Sequence, residues 1–332
     1  MSLDRMGRPL RDLRVSVTDR CNFRCRYCMP REEFGKGYEF LPKSDILTYE
    51  EIGNFVKSCR PLGLRKVRIT GGEPLLRQDI HHLVRQLSSM EMEVALTTNG
   101  SLLEKNAGNL AESGLSRVTV SLDAIDQEVH SAITDSEVPV TNILDGISAA
   151  TRHELGPVKV NCVVQRGVNE HQIPKLVRKF RGTGVIVRFI EFMDVGSTNG
   201  WTRGQVVPTS EIIDFLSDEF DLTPLARRSA SDVASRWAHS DGSGEIGFIS
   251  SVSQPFCGDC VRARLSSDGK FFTCLFSSLG HDMSSLIRSG GGTEELTHSI
   301  EAVWSARKDR YSEERSSGAI SLPRVEMSYI GG

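Results

Sequence analysis

Short runs of β-branched residues alternate with amphipathic stretches over the first two-thirds of the chain. The runs predict strands at 12–18, 65–70, 93–98, 117–123, 158–165 and 185–192. Helical patterns lie at 49–60, 78–90, 102–113, 141–154, 170–180 and 209–219. Strands alternating with helices mean βα units and a parallel sheet. The two faces of these strands differ. Arg14, Ser16 and Thr18 share one face and Val15 and Val17 the other. Arg68 and Thr70 oppose Val67 and Ile69; Thr119, Ser121 and Asp123 oppose Val118, Val120 and Leu122; Lys159 and Asn161 oppose Val158, Val160 and Cys162. A parallel sheet buried on both sides reads apolar on both faces. A polar face on at least four strands instead predicts a barrel with helices outside and a wet, ligand-sized cavity inside. Six units fall short of eight, so the barrel is incomplete and open on one side. A doubly wound open sheet is the competing topology.

The pattern changes at 221–236, DLTPLARRSASDVASR, which reads as a linker. Beyond it, 237–250 and 262–276 read as hairpins, the second turning at Asp268-Gly269. Helical patterns follow near 282–289 and 293–308, and the tail from 314 onward shows no periodicity. The expected organisation is a partial barrel over 1–225 and a smaller C-terminal α+β region over 226–332.

Composition narrows the classes. Of 332 residues, 39% are hydrophobic and 25% charged, as in soluble globular proteins. A net charge of −3 argues against a nucleic-acid binder or a partner for anionic membranes. No apolar run is long enough to span a bilayer, and the start lacks the apolar core of a signal peptide. The eight cysteines are clustered rather than spread as a disulfide framework, which fits a reducing cytoplasm.

The clusters carry the chemistry. Cys21, Cys25 and Cys28 form a C-x3-C-x2-C trio just after the first predicted strand. In a [4Fe-4S] cubane each cysteine covers one iron, so three leave one iron open for a small molecule. A structural zinc is the alternative, but zinc sites come as paired C-x2-C units and no matching pair follows closely. Cys257, Cys260 and Cys274 form a second trio, C-x2-C-x13-C. It suits a second cluster with an open iron, or a zinc completed by His239 or His281. Arg262 and Arg264 flank Ala263 between these cysteines, and alternation puts both guanidiniums on one side of a strand. Such forked donors suit phosphates. With Arg14, Arg68 and Lys159 they make five inward cations. A chain of net charge −3 would not bury these without an anionic partner. A triphosphate fits, and Thr97 could add a hydroxyl. After the second strand, Gly71-Gly72-Glu73-Pro74 lets backbone approach a ligand closely, and Glu73 could accept from an ammonium. Cys59 and Cys162 lie on apolar faces and read as packed core thiols.

The C-x3-C-x-Tyr-C pattern resembles the radical S-adenosylmethionine (SAM) superfamily. Both trios, GGEP, TTNG, VSLDA, RFIEFMD, the R-A-R segment and the final Gly331-Gly332 together resemble the GTP 3′,8-cyclases of molybdenum cofactor biosynthesis, from about residue 10 to the end. The resemblance implies two [4Fe-4S] clusters on the two trios. It implies SAM held near Tyr27, Gly72, Ser121 and Met193. It implies GTP held by Arg14, Arg68, Thr97, Lys159, Arg262, Ala263 and Arg264, with a tail that reaches the active site. The implied reaction cleaves SAM with one electron to give a 5′-deoxyadenosyl radical. That radical takes hydrogen from C3′ of GTP, and C3′ then bonds to C8 of the guanine. The implied partners are an external one-electron reductant and cyclic pyranopterin monophosphate synthase, which consumes the product; a homodimer is left open. Two rivals remain. A peptide-modifying radical SAM enzyme predicts an acidic or apolar cavity. A non-catalytic iron–sulfur or zinc module gives no reason for an open coordination site beside GGEP.

Overall fold

The computed structural model describes residues 1–289, 292–315 and 324–331. The six expected strands are present: β1 (Asp12–Ser16), β2 (Lys66–Thr70), β3 (Glu93–Thr98), β4 (Arg117–Ser121), β5 (Lys159–Val164) and β6 (Ile186–Glu191). Six more follow: β7 (Leu222–Leu225), β8 (Ser235–His239), β9 (Glu245–Ile249), β10 (Arg262–Leu265), β11 (Lys270–Phe272) and β12 (His281–Asp282). The helices are α1 (Tyr49–Cys59), α2 (Ile80–Ser88), α3 (Leu103–Glu112), α4 (Gln127–Thr134), α5 (Val140–Arg152), α6 (Ile173–Phe180) and α7 (Thr209–Ser217). Beyond the barrel lie α8 (Ser284–Arg288), α9 (Thr293–Ala306), α10 (Tyr311–Glu314) and α11 (Met327–Ile330). Among the described residues no helix is long and apolar enough to cross a membrane.

Local chemistry sets the boundaries. Thr48 and Glu51 form a capping box that starts α1. Inside α1, Ile52, Phe55, Val56 and Cys59 recur on one face and are all fully buried against the sheet. Burying each of the large apolar side chains stabilises the packing by about 1.5–3 kcal/mol. Cys59 and Cys162 are both core thiols, as their faces indicated.

All twelve strands join one sheet, ordered β12-β11-β10-β1-β2-β3-β4-β5-β6-β9-β8-β7. Both C-terminal hairpins form, β8–β9 and β10–β11. Each also adds a parallel strand to the barrel. Arg14 of β1 pairs with Arg264 of β10, and Arg188 of β6 pairs with Gly247 of β9. The run β10-β1-β2-β3-β4-β5-β6-β9 is therefore eight parallel strands long, two more than the βα alternation indicates. Arg262 and Gly247, on the two edges of that run, line the same cavity, so the sheet is curled. No pairing joins β9 to β10 among the described residues, and the barrel stays incomplete. Three local differences stand out. Part of the expected linker is strand β7, which pairs with β8. The short helix α4 gave no periodic signal. Within the tail, α11 folds where no period was visible.

Candidate active site

The first trio follows the C-terminal end of β1, where a barrel of this kind gathers its chemistry. The loop is fixed from several sides. Gly72 N donates to Thr18 O at 2.7 Å and Glu73 N to Arg20 O at 2.8 Å. A Cβ on Gly72 would lie 2.2 Å from Arg20 O, so only glycine allows this contact. Arg24 donates from Nη1 to the carbonyls of Cys21 and Phe23, both at 2.8 Å. Tyr27 donates its hydroxyl to Asp123 Oδ2 at 2.7 Å. Cys21 Sγ receives Phe23 N at 3.4 Å and Asn99 Nδ2 at 3.9 Å. Burial pushes the Cys21 thiol up to about 11, with Glu73 adding to it. Burial raises Cys25 too, reinforced by Cys28 and Cys21 beside it. Three neighbouring thiols, with N–H donors directed at Cys21 Sγ, suit a cationic cluster that would take them as thiolates.

Glu73 spends its carboxylate on the protein. Oε1 accepts from Thr98 Oγ1 at 2.7 Å and Leu75 N at 3.0 Å, and Oε2 accepts from Asn99 N at 2.7 Å. Its burial raises it to about 7 against those three bonds. It braces the GGE turn against the end of β3. Ser121 ends β4, half-buried, and Met193 lies just past β6 with its carbonyl accepting from Asn199 Nδ2 at 3.0 Å.

The second trio lies at the other end of the barrel. Cys257 and Cys260 precede the first residue of β10, which runs parallel to β1, whereas the first trio follows the last residue of β1. Cys274 follows β11, which returns antiparallel to β10. Burial would raise Cys260, but Arg262 and Arg307 outweigh it and bring the thiol down to about 6. Among the described residues no three His, Cys, Asp or Glu side chains gather as for a single metal ion. Neither His239, which packs edge-on against Phe220 at 5.7 Å, nor exposed His281 completes a zinc set with this trio. A cluster with one iron per cysteine would take each trio and leave one iron open.

A cavity of about 350 Å³ runs along the inner face beside the second trio. Arg14, Arg68, Thr97, Lys159 and Arg262 all line it. Arg68 Nη1 donates to Thr97 Oγ1 and Thr119 Oγ1, each at 3.2 Å. Further cations line it, among them Lys66 and Arg188 on the strands themselves. The alternation that selects Arg68 also selects Lys66 two residues before it, and Arg188 sits mid-strand in β6, where Nε donates to Asn161 Oδ1 at 2.9 Å. Crowding shows in their acidities. Burial, then Arg188, Arg117 and Arg68, push Lys159 down to about 7. Burial and Arg68 push Lys66 down to about 8. Burial, Arg68 and Arg117 push Arg188 to about 9. Arg14 Nε is buried without a hydrogen-bond partner. A polyanion would relieve all of this.

Two expected residues sit apart from the cavity. Ala263 is fully buried, facing away from Arg262 and Arg264 into the core, so only its backbone could meet a ligand. Arg264 is turned to the tail, where Nε donates to Gly331 O at 3.2 Å. Gly331 adopts φ +77 at the ends of β1 and β2, and a Cβ there would lie 2.4 Å from Thr70 Cγ2. Tyr329 holds this end by donating to Asp268 at 2.6 Å. Gly332 lies outside the described residues.

An open parallel α/β barrel with a three-cysteine loop after β1 is the architecture of a radical SAM protein. The Radical SAM superfamily model matches residues 15–180, and the Molybdenum Cofactor Synthesis C model matches residues 185–313. The crystal structure of Streptococcus suis SuiB bound to S-adenosylmethionine shares the fold, with a TM-score of 0.61 at 15% identity over 89% of this chain and 68% of that one. Curated GTP 3′,8-cyclases from Acidothermus cellulolyticus and Staphylococcus haemolyticus are each 47% identical over 99% of this chain and 98% of their own. One from Staphylococcus aureus is 45% identical over the same shares. The chain belongs to the GTP 3′,8-cyclase family.

Proposed function

We propose that the two cysteine trios hold two [4Fe-4S] clusters at opposite ends of one barrel, with GTP lying between them. The enzyme is a radical SAM GTP 3′,8-cyclase acting in molybdenum cofactor biosynthesis. A cluster on Cys21, Cys25 and Cys28 would supply SAM with one electron, releasing methionine and a 5′-deoxyadenosyl radical, which becomes 5′-deoxyadenosine on taking hydrogen from C3′ of GTP. Everything else falls to the chain. Tyr27, Gly72, Ser121 and Met193, gathered at the C-terminal strand ends, would hold SAM. Arg14, Lys66, Arg68, Lys159, Arg188 and Arg262, with Thr97, would cradle the triphosphate in the cavity. The observation that carries this is the row of buried, mutually repelling cations on one wall of an acidic protein, which a triphosphate would neutralise. Cys257, Cys260 and Cys274 adjoin that wall, so a cluster there would meet the guanine end of the same nucleotide. Arg264 and Gly331 would shut the upper mouth and keep water from the reacting carbon.

The division at 225/226 is proposed on the same grounds: the first part binds SAM, and the second supplies the second trio and the tail. An external one-electron reductant and a cyclic pyranopterin monophosphate synthase are the proposed partners. The cation-lined cavity favours this reading over a peptide substrate. Calorimetry tests it: in Cys257→Ala the affinity for GTP should fall while the affinity for SAM stays unchanged. Zinc instead of iron at the second trio after anaerobic reconstitution would refute the cluster.

A further inference from the structure

A fully buried ionic knot lies behind the second trio. The side chains of Asp4, Arg8 and Arg307 are 0%, 2% and 1% exposed. Asp4 Oδ1 accepts from Met6 N and Arg8 N, both at 2.9 Å. Its Oδ2 accepts from Arg8 Nε at 2.6 Å and Arg307 Nη1 at 3.4 Å. Each arginine then reaches one cysteine of the trio. Arg8 Nη1 donates to Cys257 O at 2.7 Å, and Arg307 Nη1 donates to Cys260 O at 2.7 Å. Arg8 Nη1 also donates to Asp309 O at 2.9 Å, and the Asp309 carboxylate accepts from Thr273, the neighbour of Cys274, at 2.6 Å. Trp304 seats the pair: its Nε1 donates to Arg8 O at 3.1 Å and its ring lies 4.6 Å under the Arg307 guanidinium.

We infer that Asp4, Arg8 and Arg307 are positioning residues that hold the backbones of Cys257 and Cys260 in the geometry a cluster requires. The rationale is physical. A buried ion triad contributes little net stability compared with apolar packing of the same volume, because desolvating three charges is expensive. Here the charges have a geometric use. Cys257 opens a one-turn 3₁₀ segment, Cys257–Asp259, and Cys260 caps it; the turn is too short to fix itself. The two guanidiniums, both oriented by one carboxylate, pin the carbonyl of its first residue and that of its cap. Residues 4–8 and 307–309 thus tie the N-terminal segment and the end of α9 to the site. The inference rests on the second trio being a cluster site.

The test uses the full-length chain with Arg8→Gln, Arg307→Gln and Arg307→Lys. After anaerobic reconstitution, both glutamine variants should hold about half the wild-type iron, with the first trio filled and SAM binding unchanged. The paramagnetic signature of the second cluster should be lost or broadened, and GTP affinity should fall about tenfold or more. Arg307→Lys should recover part of the iron. A second measurement keeps the two claims separate. In the cluster-free full chain, alkylation of Cys257 and Cys260 should be several-fold faster in the glutamine variants, with Cys21, Cys25 and Cys28 unchanged. If the wild type takes no iron at the second trio, the cluster proposal fails while this alkylation difference still reports the positioning. Unchanged iron, spectrum and alkylation would overturn the inference. So would faster alkylation of buried Cys59 and Cys162, which would make the triad a support of the whole fold.

Discussion

The Tyr27 hydroxyl donates to Asp123 Oδ2 at 2.7 Å and so ties the first cysteine loop to the end of β4. The other carboxylate oxygen accepts from Val163 N at 2.8 Å, which carries the link on to β5. Burial holds Asp123 up at about 6 despite both bonds. Tyr27→Phe removes the donor and leaves a buried carboxylate oxygen unpaired. It should lower the stability of the cluster-free protein by about 1–3 kcal/mol in urea unfolding. It should also speed cluster loss from the first trio only. Equal stability would mean that the hydrogen bond is incidental.

Lys66→Ala and Arg188→Ala should each weaken GTP binding roughly 10- to 150-fold, the loss of about 1.5–3 kcal/mol from one hydrogen bond to a charged group. SAM affinity should stay as it was. Calorimetry with each ligand in turn reads both. GTP affinity left intact in both variants would remove these two cations from the nucleotide site.

Binding should depend on pH with a definite sign. In the free protein Lys159 and Lys66 lose their protons near pH 7 and 8 because burial and neighbouring cations disfavour the charge. Arg188, Arg117, Arg68 and Lys66 face Lys159; Arg14, Arg68 and Arg117 face Lys66, with Asp12 and Glu93 opposing. A triphosphate bound beside them would restore both charges, so binding should take up protons above pH 7. Affinity should therefore fall as pH rises from 7 to 9. Calorimetry in buffers of different ionisation enthalpy counts the protons taken up. Zero uptake at pH 8 would contradict the proposed role of the lysines.

Gly331 sits where a side chain cannot. Gly331→Ala would bring a methyl to 2.4 Å from Thr70 Cγ2 at a positive φ. It should expel the tail and break the Arg264 contact while both clusters and GTP binding persist. Removing Gly331 and Gly332 together should do the same. The ratio of cyclised product to 5′-deoxyadenosine should drop sharply in both. Product at the full-length rate would reduce the tail to a frayed end.

Much of this was legible in the sequence because the signals are local. β1 to β6 match their predicted runs to within two residues at each end, since β-branched runs between helical stretches need no distant partner. Alternation placed Arg14, Arg68 and Lys159 on the inner face correctly. The same alternation reaches Lys66, two residues before Arg68, and Arg188 faces the cavity from β6. The two extra parallel strands were hidden for a different reason. The Asp268-Gly269 turn reports the antiparallel partner of β10 but says nothing about its other edge, which pairs with β1 some 250 residues away. The same long range conceals the Asp4–Arg8–Arg307 knot, whose members are separated by up to 303 positions. Arg264 looked identical to Arg262 by alternation, yet the tail carbonyl of Gly331 takes its Nε.

The most direct test of the whole account follows one hydrogen atom. The reconstituted enzyme is given SAM, a one-electron reductant and GTP deuterated at C3′, without oxygen. The account predicts 3′,8-cyclo-7,8-dihydro-GTP and deuterium-bearing 5′-deoxyadenosine in comparable amounts. Cys21→Ala should yield neither, and Cys257→Ala should lose the cyclised product. Formation of 5′-deoxyadenosine free of deuterium, with no cyclised nucleotide, would contradict it.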